Sequence, residues 1–170
     1  MTDEEFSEQI VAMTQTLYRV SYSQLSQGGD RDEAVQEALC KAWRKRHSLK
    51  DEQHLRTWLT RILINECHNI HRRRKRETPT GILPEDASRA APADADRELH
   101  DALLRLNETL RAPVLLHYAE GFKVEEIARI LHIPEGTVKS RMRKGREELR
   151  KMLDEEESPC AMKAGLTKAW

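Results

Sequence analysis

The sequence predicts an all-α protein built as two small helical domains joined by a flexible linker, the C-terminal one a helix-turn-helix. Three observations carry that reading. Apolar residues recur at steps of three and four over much of the 170 residues, the spacing of one helical face. The stretch 77–97, ETPTGILPEDASRAAPADADR, holds Pro79, Pro84, Pro92 and Gly81 with no sustained period, which reads as a linker. Further on, EEIARILHIPEGTVKSRMRKGREEL sets two periodic segments on either side of a tight break. A composition of 34% charged and 5% aromatic residues with seven glycines suits such a chain.

In chain order, Ile10, Met13, Leu17 and Val20 mark a helix from Glu4 to about Leu25. SQGGD ends it, with Gly28 and Gly29 as stop signals and Asp30 as N-cap of the next. Ala34, Val35, Ala38, Leu39, Ala42 and Trp43 define one face of a second helix to about Arg46; Asp32, Glu33, Gln36, Glu37 and Lys41 define the other. After the polar loop HSLKDEQH, a third helix runs from about Glu52 to Arg76. It is apolar along Leu55, Leu59, Ile62, Leu63, Cys67 and Ile70 and polar along Arg61, Asn65, His68 and Arg72. Glu66 falls inside the apolar stripe and requires a polar partner there. Trp43 and Trp58 flank the stripes of their helices and read as core packing. HRRRKR closes a first domain at residues 1–76.

The second domain spans 98–153. Leu99, Ala102, Leu103 and Leu106 mark a short helix and Asn107 a cap. Pro113 is placed in the first turn of a helix reaching Glu120, because a proline further inside would break it. Gly121 ends that helix. Val124, Ile127, Ala128 and Leu131 then point inward from the first helix of the helix-turn-helix. Ile133 anchors the turn and Pro134 begins the second helix. At 100° per residue, Val138, Met142, Gly145, Leu149 and Met152 turn inward, while Lys139, Ser140, Arg143, Lys144 and Glu147 turn outward. A recognition helix needs basic and polar side chains at its exposed N-terminal half, where it enters a major groove. A solvated hairpin face is the competing reading of the same residues. The tail, 154–170, opens with DEEESP and is expected to be disordered, with docking through Met162, Leu166 and Trp170 as the other reading.

Net charge is zero but unevenly spread. Residues 1–40 hold eight acids and two bases, and residues 137–151 hold seven bases and two acids, so a local cationic patch exists despite the neutral total. Cys40, Cys67 and Cys160 match no disulfide or zinc spacing and read as free thiols of a reducing, cytoplasmic compartment. Cys67 and His71 lie one turn apart, but two ligands do not make a metal site, so no metal is expected. MTDEEFSEQ is too acidic for a signal peptide, and no apolar run approaches a membrane span. A Walker loop, a nucleophile triad and a zinc set are all missing, which argues against an enzyme and against any cofactor.

Two stretches carry a family resemblance. GFKVEEIARILHIPEGTVKSRMRKGREELRKML resembles region four of bacterial sigma factors, the helix-turn-helix region. DEAVQEALCKAWR and HLRTWLTRILINECHNIHRRRKR resemble region two. Their order, with only a linker between, is similar to the two-domain extracytoplasmic-function (ECF) group of the sigma-70 family. The resemblance implies a factor that lends core RNA polymerase promoter specificity and strand opening, then leaves. It implies contacts with the clamp coiled coil of the polymerase largest subunit through Asp32, Gln36, Glu37 and Lys41, a surface that on residue grounds alone could equally serve solubility. A further contact with the polymerase flap is implied. The third helix would open the −10 promoter element, with strand contacts from Arg61, Asn65, His68 and Arg72 and phosphate contacts from the basic run that includes Arg73 and Arg74. The loop Ser48–His54 would capture a flipped base, although Leu55 stands where an aromatic is commoner. Region four would read the −35 element through Lys139, Ser140, Arg143 and Lys144, with Arg141 and Arg146 gripping phosphate. An anti-sigma partner is implied as well.

EEIARILHIPEGTVK also looks like the DNA-binding domain of LuxR-type regulators. That class carries a separate sensing or receiver domain, and residues 1–76 show neither alternating strands nor an acidic phosphorylation pocket. A helical interaction module without a DNA role is the remaining alternative.

Overall fold

The computed structural model describes residues 2–77 and 102–164, with residues 155–164 as backbone alone. The described residues are helical and contain no strand. Among the described residues seven longer α-helices order the chain, α1 (Asp3–Ala12), α2 (Thr14–Gln24), α3 (Gly28–Lys45), α4 (Leu55–Glu77), α5 (Glu108–Tyr118), α6 (Val124–Leu131) and α7 (Glu135–Ala164), and residues 102–105 add a helical turn ahead of α5. The linker from residue 78, Leu99, and the side chains of Met162, Leu166 and Trp170 lie outside the described residues.

α1 starts where Thr2 accepts the Glu5 N–H at 3.2 Å and the Glu5 carboxylate accepts the Thr2 N–H at 2.6 Å, a reciprocal cap. The first helix expected from the sequence is two helices, broken at Met13, where the backbone relaxes to φ −83°, ψ −6°. Gly28 and Gly29 do not stop a helix; they form the first turn of α3, and Gln27 is its N-cap in place of Asp30. The Asp30 carboxylate instead receives the Arg74 guanidinium at 2.5 Å. Leu17, Val20, Ala34, Val35, Ala38, Ala42, Leu59, Leu63 and Cys67 are all but inaccessible, so α2, α3 and α4 bury the faces that their spacing marks. Trp58 packs against this core. Trp43, expected there too, is 39% exposed; its ring lies 6.1 Å from Phe6 and under the Arg46 guanidinium.

Asn107 caps α5 by accepting the Thr109 N–H at 3.0 Å. The helix therefore begins five residues before Pro113, which sits inside it, buried, and not in the first turn. Gly121 follows at φ +68°, the left-handed conformation that glycine adopts without strain. His132 ends α6 in the same region at φ 54°, and the Val138 N–H bonds the Pro134 carbonyl at 3.1 Å to start α7. α7 continues to Ala164, so the disorder expected from Asp154 is replaced by helix that far. Val138, Met142 and Leu149 point inward as their spacing requires.

The two modules share apolar contact. Leu115, Leu116, Phe122, Ile127 and Ile130 join the same buried cluster as Leu17, Leu59 and Leu63, because α6 packs across α4 and α5 across α2. A second cluster of Ala102, Leu106, Leu110, Val114 and Leu149 holds α7 to α5.

Candidate nucleic-acid interface

Two surfaces present bases. The first is the outer side of α7. Lys139, Ser140, Arg143, Lys144 and Arg146 are exposed, whereas Arg141 is half-buried. Arg143 and Lys144 retain 75% and 68% side-chain exposure. Their acidic neighbours one turn on, Glu147 and Glu148, stand 4.0 and 3.9 Å away, and pairs this exposed hold their partners weakly. The Arg146 guanidinium lies 5.9 Å from the ring of Tyr118 on α5. Ser140 Oγ donates to the Thr137 carbonyl at 3.0 Å. The base of the unit is fixed by Glu126, whose Oε2 accepts the Lys123 N–H at 2.8 Å at the start of α6.

The second surface follows α4. Arg61, Asn65, His68 and Arg72 are exposed on one side of it. Asn65, His68 and Arg72 line a cleft of about 560 Å³ together with Asn69, His71 and Glu108. Arg61 is not among the lining residues. Partial burial, then the neighbouring His71, pushes the His68 pKa down, which favours a neutral ring in the cleft. Arg72 donates to Asn69 Oδ1 at 2.5 Å. His71 Nε2 stands 2.8 Å from the Gln24 carbonyl and 3.4 Å from the Glu108 carboxylate.

Arg73 and Arg74 turn the other way, towards α3. Arg73 forms two bonds of 2.6 and 2.7 Å to Glu33, and Arg74 binds Asp30 and Gln27. The expected continuous basic run is thereby divided: Arg72 faces the cleft, while Arg73 and Arg74 are paired with carboxylates of α3. Asn69, His71 and Glu108 were missed from the sequence. Asn69 was findable, four residues after Asn65 on one face; Glu108 was not, because it arrives from the other module.

The loop before α4 forms two short 3₁₀ turns, Arg46–Ser48 and Glu52–His54. Asp51 accepts the Gln53 N–H at 2.9 Å and contacts His54 Nδ1 at 3.0 Å, so an exposed loop is held in shape. Leu55 is 3% exposed and belongs to the core, not to the loop's outer surface. On α3, Asp32, Gln36 and Glu37 are exposed on one side. Lys41 is half-buried, its ammonium 2.5 Å from Glu66, which supplies the partner that the acid in the apolar stripe required. Cys67 is fully buried, and burial raises its thiol pKa to about 12.

Comparison with known proteins covers both modules. The profile of "Sigma-70 region 2" matches residues 10–77, and that of "Sigma-70, region 4" matches residues 96–149. The ECF RNA polymerase sigma factor SigW of Bacillus subtilis is 29% identical over 156 residues, 81% of this chain and 82% of its own length. The ECF RNA polymerase sigma-E factor of Haemophilus influenzae is 32% identical over 135 residues, 69% of this chain and 71% of its own. Among solved structures, the sigma factor RpoE in complex with the anti-sigma factor NepR, from Bartonella quintana, superposes with a TM-score of 0.81 at 28% identity, covering 89% of this chain and 98% of that one.

Proposed function

The chain belongs to the ECF group of the sigma-70 family, and from that premise we propose how its two surfaces divide the recognition of a promoter. As a sigma factor it directs RNA polymerase to promoters. Region 4 lays α7 in the major groove of the −35 element. Lys139, Ser140, Arg143 and Lys144 face base edges, where Arg and Lys favour the O6 and N7 acceptors of guanine. Arg141 and Arg146 lie to the sides and hold phosphate. Region 2 accepts the unpaired −10 strand along α4, with Asn65, His68 and Arg72 in the cleft, Arg61 beyond it, and the loop Ser48–His54 receiving an extruded base. Extruding a base costs a few kcal/mol, offset by stacking and hydrogen bonds. Arg73 and Arg74 serve the backbone only after exchanging Glu33 and Asp30 for phosphate, a salt-sensitive exchange.

Asp32, Gln36 and Glu37 form the stripe that meets the clamp of the polymerase largest subunit, with Lys41 at its inner edge; region 4 meets the flap. An anti-sigma protein is an expected partner, as the Bartonella quintana factor is in complex with the anti-sigma factor NepR. No chemistry is catalysed by the chain itself, and it works where polymerase and DNA are, in the cytoplasm. Among the described residues no helix is long and apolar enough to cross a membrane.

One observation carries the reading: the N-terminal half of α7 exposes Lys139, Ser140, Arg143 and Lys144 while Val138, Met142 and Leu149 are buried. The LuxR-type alternative has no support, since residues 10–77 match sigma region 2. A gel-shift experiment with genomic promoter duplex tests the assignment. Specific retardation is expected only when core polymerase is added. Tight, specific binding by the chain alone would favour a free-standing regulator.

A further inference from the structure

The loop Ser48–His54 stands proud of the two helices that carry it. Every side chain from Lys50 to His54 is exposed. Leu49, half-buried, and Leu55, buried, peg its two ends into the core. Its own bonds are local. Ser48 Oγ donates to the Lys45 carbonyl at 2.7 Å, and Asp51 binds the Gln53 N–H and the His54 ring.

At the root of this loop stands Arg46, the C-cap of α3 and the first residue of the 3₁₀ turn that follows. Its carbonyl accepts the Leu49 N–H at 3.2 Å, so its position sets where the chain turns into the loop. Its guanidinium is fixed from three directions. Nε and Nη2 donate to the two carboxylate oxygens of Asp3 on α1 at 2.7 and 3.0 Å. Nη1 donates to the Trp43 carbonyl at 3.0 Å. Cζ lies 4.4 Å from the centre of the Trp43 ring, which α1 also meets through Phe6. Only 22% of the Arg46 side chain is exposed. Asp3 is itself held, as the first residue of a helix capped by Thr2 and Glu5. A lone surface ion pair fixes little, but a two-pronged pair that is also stacked and bonded to backbone fixes a geometry.

Extruding a base already costs binding energy, and a loop that has to order itself as the base arrives adds to that cost. A loop shaped beforehand avoids the addition. We infer that Asp3 and Arg46 are positioning residues for base capture: through them α1 braces the root of the loop, which meets the −10 strand already shaped. This rests on the reading of Ser48–His54 as the base-receiving loop. Both residues act through the loop and neither has to touch DNA. They are 43 positions apart in the chain, so only the folded helices bring them together.

The test uses holoenzyme assembled beforehand from core RNA polymerase and the full chain. The probe is a fluorescent single-stranded −10 oligonucleotide from a promoter mapped by run-off transcription, intact or with one base at a time replaced by an abasic site. The ratio of intact to abasic affinity, read by anisotropy, reports base capture. The wild type should lose about tenfold at one position, the worth of one stacked base. Asp3→Asn and Arg46→Ala should each shrink that ratio by about threefold, the scale of a well-formed surface pair, while Asp3→Glu, which keeps the carboxylate, should retain most of it. A merely structural loss lowers both affinities together and leaves the ratio as it was; an unchanged ratio in Asp3→Asn and Arg46→Ala overturns the brace and leaves the base-receiving loop standing. If no abasic position matters to the wild type, the loop captures no base, and the brace falls with it.

Discussion

The Lys41 ammonium lies 2.5 Å from the Glu66 carboxylate and ties α3 to α4. Glu66 retains 11% side-chain exposure and Lys41 35%, so the acid depends on the base more than the reverse. Lys41→Ala should destabilise the N-terminal module by about 1–2 kcal/mol, below the value for a fully buried pair because the lysine is partly in water. Lys41→Met with Glu66→Leu should return it close to wild type. Urea denaturation followed by circular dichroism measures both. Glu37→Lys, at an exposed position, should weaken core binding without moving the melting temperature, which separates contact from stability.

On α7 the prediction is positional. Arg143→Ala or Lys139→Ala should cost about 1–3 kcal/mol against the preferred −35 sequence and relax preference at one base pair. Arg146→Ala should weaken all sequences alike and lower the salt slope by about one. Holoenzyme binding to a library of −35 variants at several salt concentrations distinguishes these outcomes.

Gly145 lets α7 pass close to α5. A Cβ there would meet Val114 Cγ2 at 2.6 Å and the Leu110 carbonyl at 3.4 Å. Alanine gains about 1 kcal/mol of helix propensity, but the β-branched Val114 is stiff and cannot swing aside. Overpacking of this kind costs about 1–3 kcal/mol, so Gly145→Ala should lower stability or at best leave it unchanged. Thermal unfolding of the single variant decides the sign, and a gain would show that the helices separate freely.

The two described cysteines should differ in reactivity. Cys40 is exposed and should react with maleimide in the native protein at pH 8; Cys67 should react only after unfolding. Its thiol pKa stands at about 12 against an ordinary 9.0. Below pH 9 the thiol is protonated in both states and contributes nothing. As pH rises from 9 towards 12 the unfolded chain loses the proton first, so stability falls relative to a Cys67→Ala control, by up to about 1.4 kcal/mol per pH unit.

Most of this architecture is legible one helix at a time. The steps among Leu59, Leu63 and Cys67, or Val138, Met142 and Leu149, orient their helices because burial follows the 3.6-residue period. Local chemistry gave less. Gly28 and Gly29 read as stops, yet they open α3, where the Arg31 N–H bonds the Gln27 carbonyl at 3.2 Å, and Pro113 is carried inside α5 because Asn107 caps the helix early. Pairings between distant segments leave no trace in spacing. The partners of Arg73, Arg74 and Glu66, and the pair of Asp3 with Arg46, are known only once the helices are assembled. The candidate site divides the same way: the sequence sets Arg61, Asn65, His68 and Arg72 on one helical face, of which Asn65, His68 and Arg72 line the cleft and Arg61 does not, whereas Glu108 reaches it from the other module.

Run-off transcription tests the central claim most directly. Core RNA polymerase is assayed on genomic fragments with the wild-type chain, without it, and with a Lys139→Ala, Arg143→Ala variant that still binds core. The account predicts discrete start sites that require the wild-type chain and disappear with the variant. Initiation that is unchanged by adding the wild-type chain, or equally redirected by the variant, would contradict it.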